Sequence, residues 1–445
     1  MGKIIKGYIM PHPPIIVSGV GQGREKSARA TIEAVKRVAK EIGRDKPTTI
    51  VLSSPHAPCF RDYVYLYDEE VLSGSFQGFG FPDSTLTFKN NTELAALILK
   101  KAKLAGIRAG NGGYNTREML DYGALVPLYF IRKELEDFKL VCISTPFLSL
   151  EDTYSFGKCI GEAVSSMEEN VVYVSSGDLS HRLTKHAPAG YSPKGQEYDK
   201  YIIDKIKKVD IKALVATSED FLEAAGQCGT RSIVMMFGAF QEQEINSEIY
   251  SYEGPFGVGY LVAKISKTSE QVKLARETLE TYIKENIRIK PPKDLSSEFF
   301  SKKAGVFVSI KKKGNLRGCI GTIAPTRENI AEEIISNAIS SGTKDPRFQQ
   351  VTEDELGELE YSVDVLGEPE NITSLKELDV EKYGVIVTLG FRRGLLLPAL
   401  QGVNTPEEQV SIALQKAGIQ EYENYKMERF EVVRYKDSVK FTMKK

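Results

Sequence analysis

Short apolar runs of strand length alternate with longer segments whose apolar residues recur every three or four positions, from residue 1 to about residue 265. Ile4 to Met10, Thr48 to Ser54, Leu140 to Ser144 and Val171 to Ser176 are the strand-like runs. Their nearly continuous apolar character suits strands covered on both faces. Between them, Ala28, Ile32, Val35, Val38, Ala39 and Ile42 follow helical spacing, which predicts a helix over Glu25 to Ile42. Further helices are predicted over Thr92 to Leu104 and Thr153 to Met167, and Gly257 to Ala263 reads as a closing strand. Ile107 and Arg108 begin a short strand before the glycine-rich turn Gly110-Asn111-Gly112-Gly113. Strands separated by helices predict a layered α/β domain with a largely parallel or mixed central sheet.

The pattern restarts near Lys267, which divides the chain into domains 1–266 and 267–445. Thr268-Ser269-Glu270-Gln271 has the form of a capping box, followed by helical spacing through Ile287. Strands are predicted at Gly305 to Ile310, Leu359 to Leu366 and Tyr383 to Leu389. A helix from Thr326 to Ile339 falls between the first two, and another from Thr405 to Ala417 is stopped by Gly418. This second region is a smaller α+β domain.

At 445 residues the chain is long enough for two cores. A formal charge of -1 gives no reason to expect nucleic acid as a partner. Neither a membrane-length apolar stretch nor a signal-peptide pattern is present. The five cysteines make no C-x-x-C pair and no disulfide framework, so the chain reads as a reduced, cytoplasmic protein.

The scarce histidines change the picture most. His12, His56 and His181 each sit just past a strand-like run, and none follows His186. In an α/β sheet such positions gather on one rim, where ligands bind. Neutral imidazole is the commonest metal ligand. Prolines at 11, 13 and 14 stiffen the loop around His12, and Pro55 and Pro58 flank His56. Gly177-Asp178-Leu179-Ser180-His181 supplies polar neighbours able to orient the third ring. A loop histidine is otherwise an ordinary solvated group, and spacing does not separate a ligand from an acid/base at His181. His186 reads as peripheral.

Pro-His-Pro-Pro, Ser-Pro-His and Gly-Asp-Leu-Ser-His, in that order, resemble the class III extradiol ring-cleaving dioxygenases of catalytic-subunit type and the related Memo family. The resemblance covers about residues 1 to 265. It implies Fe(II) on His12 and His56, His181 as acid/base, and oxidative opening of a catechol or aminophenol. Two departures stand out. Where the dioxygenases have Asp-His-Gly, this chain has Asp121-Tyr122-Gly123, and Tyr122 can orient a substrate oxygen but carries no positive charge. Where they have a late glutamate ligand, this chain offers Cys228, as Memo proteins do, with Glu223 as a nearby carboxylate. A thiolate would admit zinc or copper as readily as iron. Cys228 also suits a small buried apolar role.

In the second domain, Gly314-Asn315-Leu316-Arg317-Gly318-Cys319-Ile320-Gly321-Thr322 places Arg317 two residues before a thiol, on the same face of an extended segment. A neighbouring cation makes thiolate available. A tight turn around a buried cysteine is the alternative. Leu-Arg-Gly-Cys-Ile-Gly-Thr, with Asp345-Pro346-Arg347-Phe348, Gly394-Leu395-Leu396-Leu397-Pro398 and Lys416-Ala417-Gly418, resembles the AMMECR domain family over about residues 268 to 445. The resemblance implies a cleft with Arg317, Cys319, Asp345 and Arg347 as candidate functional residues. Chains with both domain types resemble parts of a system that includes a radical SAM protein.

The leading expectation is therefore Fe(II)-dependent oxidation of a small aromatic substrate. A zinc or copper redox protein or hydrolase is the second reading, and a partner module for a radical SAM protein the third. A homodimer suits the length.

Overall fold

The computed structural model describes residues 2–111, 120–240, 243–400 and 402–437. Gly112 and Gly113 of the glycine-rich turn lie outside them. The chain forms two compact units, 1–267 and 268–445.

The strands of the first unit are β1 (Lys3–Met10), β2 (Thr49–Ser54), β3 (Val64–Tyr65), β4 (Val71–Gly74), β5 (Leu86–Asn90), β6 (Ala109–Gly110), β7 (Lys139–Ser144), β8 (Asn170–Ser176), β9 (Ile245–Glu253) and β10 (Tyr260–Lys267). Eight of them make one sheet in the order β4-β5-β7-β2-β8-β1-β10-β9. The centre, from β5 to β1, is parallel, and the flanking pairs are antiparallel. The sheet is thus mixed with a parallel middle, as the alternating pattern predicts. Side-chain alternation splits its burial between two layers. Val51 and Val141 join one apolar cluster, whereas Ile50, Leu52 and Leu140 join the other.

Register decides where the histidines go. Ser53 of β2 pairs with Ser175 of β8, and Ser175 pairs with Ile9 of β1. Three adjacent parallel strands therefore stop at one level, and His12, His56 and Asp178 all leave from the same rim.

One helix pair positions the remaining loop. Helix Thr230–Ala239 crosses helix Leu150–Ser165 so closely that a Cβ on Gly157 would lie 2.1 Å from the carbonyl oxygen of Met235. A Cβ on Gly238 would meet the Tyr154 carbonyl oxygen at 2.2 Å. Because Cys228 sits just ahead of helix Thr230–Ala239, this backbone contact sets its depth.

The second unit contains β11 (Val306–Lys312), β12 (Asn315–Gly321), β13 (Leu359–Leu366), β14 (Glu370–Ile372), β15 (Tyr383–Leu389), β16 (Arg392–Leu396) and β17 (Lys426–Lys436). They pair antiparallel in the order β12-β11-β13-β17-β15-β16, with β14 beside β17. Helices Glu270–Glu285 and Ile330–Thr343 share an apolar cluster with β11 and β13, and helix Pro406–Ala417 shares another with β15 and β16. This is the α+β arrangement expected.

Several local expectations shift. The first helix of the second unit is capped by Ser269, whose Oγ accepts from the Val272 N–H, so the predicted capping register beginning at Thr268 is one residue early. The helix expected from Thr326 begins at Ile330, capped by Asn329. Buried Glu333 explains the delay, because its carboxylate binds the backbone N–H groups of Thr326 and Arg327 and holds them out of the helix. Residues 24–28 form a 3₁₀ turn, and the helix proper is Arg29–Asp45. β9 and β17 escape the sequence pattern because much of each strand is only half-buried, which weakens apolar alternation.

Gly157→Val should lower unfolding stability by about 1–3 kcal/mol, measured by urea denaturation, because the added carbons force the helices apart. It should also weaken metal retention through displacement of Cys228; unchanged stability would contradict the close crossing.

Candidate metal centre

His12 leaves β1 in the stiff loop 11–14 and is buried. Its backbone N–H donates to Asp178 Oδ1 at 3.0 Å, and its Nδ1 lies 2.9 Å from Ser176 Oγ. The Ser176 hydroxyl donates to the Gly123 carbonyl, so its oxygen is left to accept from Nδ1–H. That assignment turns the Nε2 lone pair of His12 toward the cluster.

His56 follows β2 and is exposed on the rim. Its Nε2 lies 3.1 Å from His12 Nε2. Tyr122, the first residue of helix Tyr122–Arg132, stacks on the His56 ring at 4.4 Å, with its hydroxyl 2.9 Å from His56 Nε2. Asp121 caps that helix and accepts from Ser54 Oγ at 2.6 Å, which ties Tyr122 to the end of β2.

Cys228 lies between two helices. Gly226, at φ +61, ends the first, and Gly229 caps the second. The Asp178 carbonyl accepts from the N–H groups of Cys228 and Gly229, and the Asp178 N–H donates to Cys228 Sγ at 3.3 Å. A Cβ on Gly177 would be 2.3 Å from Gly229 Cα, so only glycine permits these two loops to touch. Cys228 Sγ ends 3.6 Å from both His12 Nε2 and His181 Nε2.

His12, His56 and Cys228 thus present donor atoms that all lie within 4.8 Å of one another. Tetrahedral arms of about 2.05 Å to nitrogen and 2.3 Å to sulfur would separate two nitrogens by about 3.3 Å and nitrogen from sulfur by about 3.6 Å. The 3.1 Å between imidazole nitrogens and the 3.6 Å from His12 to Cys228 match those separations, and all three donors lie within 4.8 Å of one another. The donor set fits a transition metal.

Electrostatics agree. Burial pushes His12 down to about 3, helped by His181. Partial desolvation of the His56 ring nitrogens, with His12 and His181 nearby, likewise takes His56 down to about 3. His181 is lowered by burial and partly restored by Asp178. The Cys228 thiol is pushed well above its ordinary value by burial and by Asp178. Asp178 itself rises to about 6 through burial, opposed by His181 and the His12 N–H. Uncharged donors crowd together here, a state that a cation relieves.

Asp178 is the residue that sequence reasoning treated only as a neighbour. Its Oδ2 lies 4.0 Å from His12 Nε2 and 3.9 Å from His181 Nε2, so it joins the two rings. Its place at the end of β8 was the available signal. Glu223 is exposed and lines a separate cavity with Arg61, Glu219 and Arg231; it is not in the donor group. His186 is exposed.

Residues 6–263 match the model of the catalytic LigB subunit of aromatic ring-opening dioxygenase. The chain belongs to the LigB family. Residues 272–439 match the AMMECR1 model, so a LigB domain is joined to an AMMECR1 domain. A protein of Clostridium acetobutylicum is 43% identical, covering 97% of this chain and 99% of its own. A shorter protein of Thermotoga maritima is 48% identical over 37% of this chain and 96% of its own. An uncharacterised Pyrococcus horikoshii protein of known crystal structure is 34% identical, with a TM-score of 0.35 over 37% of this chain and 88% of its own. Among the described residues, no helix is long and apolar enough to cross a membrane.

In the AMMECR1 domain the expected pairing of Arg317 with Cys319 does not form. The β11–β12 register shifts between Ile310 and Lys311, so Arg317 sits in a bulge. Its guanidinium is turned to Glu355 at 2.8 Å and to the Gln349 and Gln350 carbonyls. Cys319 meets Asp345 and Arg347 instead. Asp345 Oδ2 accepts from the Cys319 N–H at 2.8 Å, and Arg347 donates to both Asp345 oxygens. Arg347 holds the Asp345 carboxyl well below its ordinary range.

His12→Ala should abolish stoichiometric metal in anaerobically purified protein, read by elemental analysis; equal metal in both proteins would dismiss this centre. Zinc affinity of the metal-free protein should rise with pH by up to about tenfold per unit near neutrality, because the ion displaces one proton from the Cys228 thiol. The slope should steepen toward about 6, where Asp178 also holds a proton. Arg317 and Lys312 bring Glu355 down to about 2, below its unfolded value, so its contribution to stability is full above about 4.3 and lost as pH falls. Glu355→Gln should therefore be less stable than wild type at pH 6, with the gap closing toward pH 2 in urea titrations.

Proposed function

We propose that the LigB domain is a metal-dependent oxidoreductase that oxidises a small catechol or aminophenol, with Fe(II) held by His12, His56 and Cys228. The observation that carries this reading is the convergence of three neutral donors from three loops, with an unassigned imidazole and a carboxylate beside them. Bound iron would supply a Lewis acid for the substrate oxygens and a redox centre for dioxygen.

The chain's own residues divide the remaining work. His181 is neutral near pH 7 because burial lowers its pKa, so its ring is ready to take a proton from a phenolic hydroxyl. Asp178, 3.9 Å away, favours the imidazolium once the proton arrives. Tyr122 keeps its proton, since burial and the nearby Cys228 and Asp178 push it up to about 12. Its hydroxyl can therefore donate to a substrate oxygen on the exposed side of His56. Phe79, ring centroid 5.6 Å from Tyr122, adds an apolar edge to that side.

A second reading, a zinc or copper centre, is favoured by one feature: the soft sulfur donor where the ring-cleaving enzymes have a carboxylate. The metal that copurifies separates the two.

Anaerobically prepared, iron-loaded protein should consume dioxygen when given catechol or 2-aminophenol. His181→Ala should reduce kcat by about 10²–10⁴-fold while metal content is retained. Stoichiometric iron with no oxygen uptake on either substrate class would sink the dioxygenase reading and leave the candidate metal centre standing.

A further inference from the structure

Helix Pro193–Lys208 carries Asp199, a fully buried carboxylate that makes no ion pair among the described residues. Two donors serve it instead. Asp199 Oδ1 accepts from the Ser180 N–H at 2.8 Å, and Oδ2 accepts from the Tyr252 hydroxyl of β9 at 2.6 Å. A Cβ on Gly259 would lie 2.1 Å from Oδ2, so only glycine there leaves room for the carboxylate. A carboxylate so placed is costly, and burial pushes it up to about 7 against the pull of both donors. What it holds is the turn before His181.

Ser180 is gripped from several sides. Its carbonyl accepts from the Gly259 N–H at 2.8 Å, and its hydroxyl donates to the Ala225 carbonyl at 2.8 Å. A Cβ on Gly195 would be 2.5 Å from Ser180 Oγ, so the first turn of helix Pro193–Lys208 lies directly on this residue. The His181 N–H donates to the Gly226 carbonyl at 3.2 Å. The His181 ring, by contrast, has only Cys228 Sγ at 3.6 Å and Asp178 Oδ2 at 3.9 Å as polar neighbours among the described residues. Its direction is therefore set by the backbone at 180 and 181. Within 179–183, Ser180 alone gives its N–H to a carboxylate, which makes Asp199 the anchor that a side-chain change can release.

We propose that Asp199 is a positioning residue for His181: its two hydrogen bonds tie the Ser180 turn to β9 and helix Pro193–Lys208, and so hold the imidazole toward Cys228 and Asp178. The assignment rests on the reading of His181 as the proton acceptor. It acts through hydrogen bonds rather than charge, which separates two substitutions. Asp199→Asn keeps an oxygen for the Ser180 N–H and offers an N–H to the Tyr252 oxygen. Asp199→Ala keeps neither bond and leaves two buried donors unpaired.

The decisive measurement needs no turnover. Full-length wild type and both variants are treated with diethyl pyrocarbonate, and labelling of each histidine is followed by peptide mass mapping. Exposed His186 is the internal reference, and buried His12 reports general loosening. Asp199→Ala should label His181 about tenfold faster than wild type, while Asp199→Asn stays within about twofold of it. Labelling of His12 and His186 and the copurified metal content should not change. Should Asp199→Ala fail to fold, Tyr252→Phe decides, with an expected rise of about threefold at His181. With catechol or 2-aminophenol, Asp199→Ala should lower kcat and leave KM within about twofold. Unchanged labelling of His181, or equal acceleration at His12, would overturn the assignment. Wild type that takes up no oxygen would end the oxidation reading alone, because the labelling result stands without it.

Discussion

The candidate metal centre depends on Asp178 acting as a clamp between loops distant in sequence. Its carboxylate takes the His12 N–H, and its carbonyl takes the N–H groups of Cys228 and Gly229. Each contact satisfies a backbone group that would otherwise be costly to bury. The contact of Gly177 with Gly229 makes the clamp possible, since any side chain at Gly177 would drive the loops apart. Three donors therefore reach one point on rigid supports.

That rigidity has an electrostatic consequence. Desolvation of three neighbouring imidazoles and a thiol disfavours their charged forms, and the neighbouring Asp178 is pushed toward neutrality as well. The donors keep their lone pairs available near neutral pH. Ser176 then fixes which nitrogen of His12 faces inward. The sulfur donor distinguishes this centre from a two-histidine, one-carboxylate site and changes the range of metals it would hold.

The AMMECR1 domain is built on an antiparallel sheet whose second strand, β12, carries a bulge. A single bulge at Arg317 diverts its guanidinium to Glu355, where it braces β12 against the turn 353–358. Two residues on, the Cys319 thiol accepts from the Ser309 hydroxyl, and the Cys319 carbonyl accepts from Arg347.

Local chemistry reaches far in this chain. Apolar periodicity specified the parallel strands β1, β2, β7 and β8 and helices such as Thr92–Leu104, because both depend on near-neighbour spacing. Strand-end placement was enough to single out His12, His56 and His181, since parallel strands deliver their ends to one rim. Tertiary structure alone brings Cys228, and not Glu223, beside the two imidazoles, because that placement turns on a glycine contact between residues 177 and 229. It alone separated Arg317 from Cys319, because one extra residue in a strand reverses the facing of what precedes it. Spacing along a chain describes directions within one element; which atoms meet is decided by register and loop contact between elements.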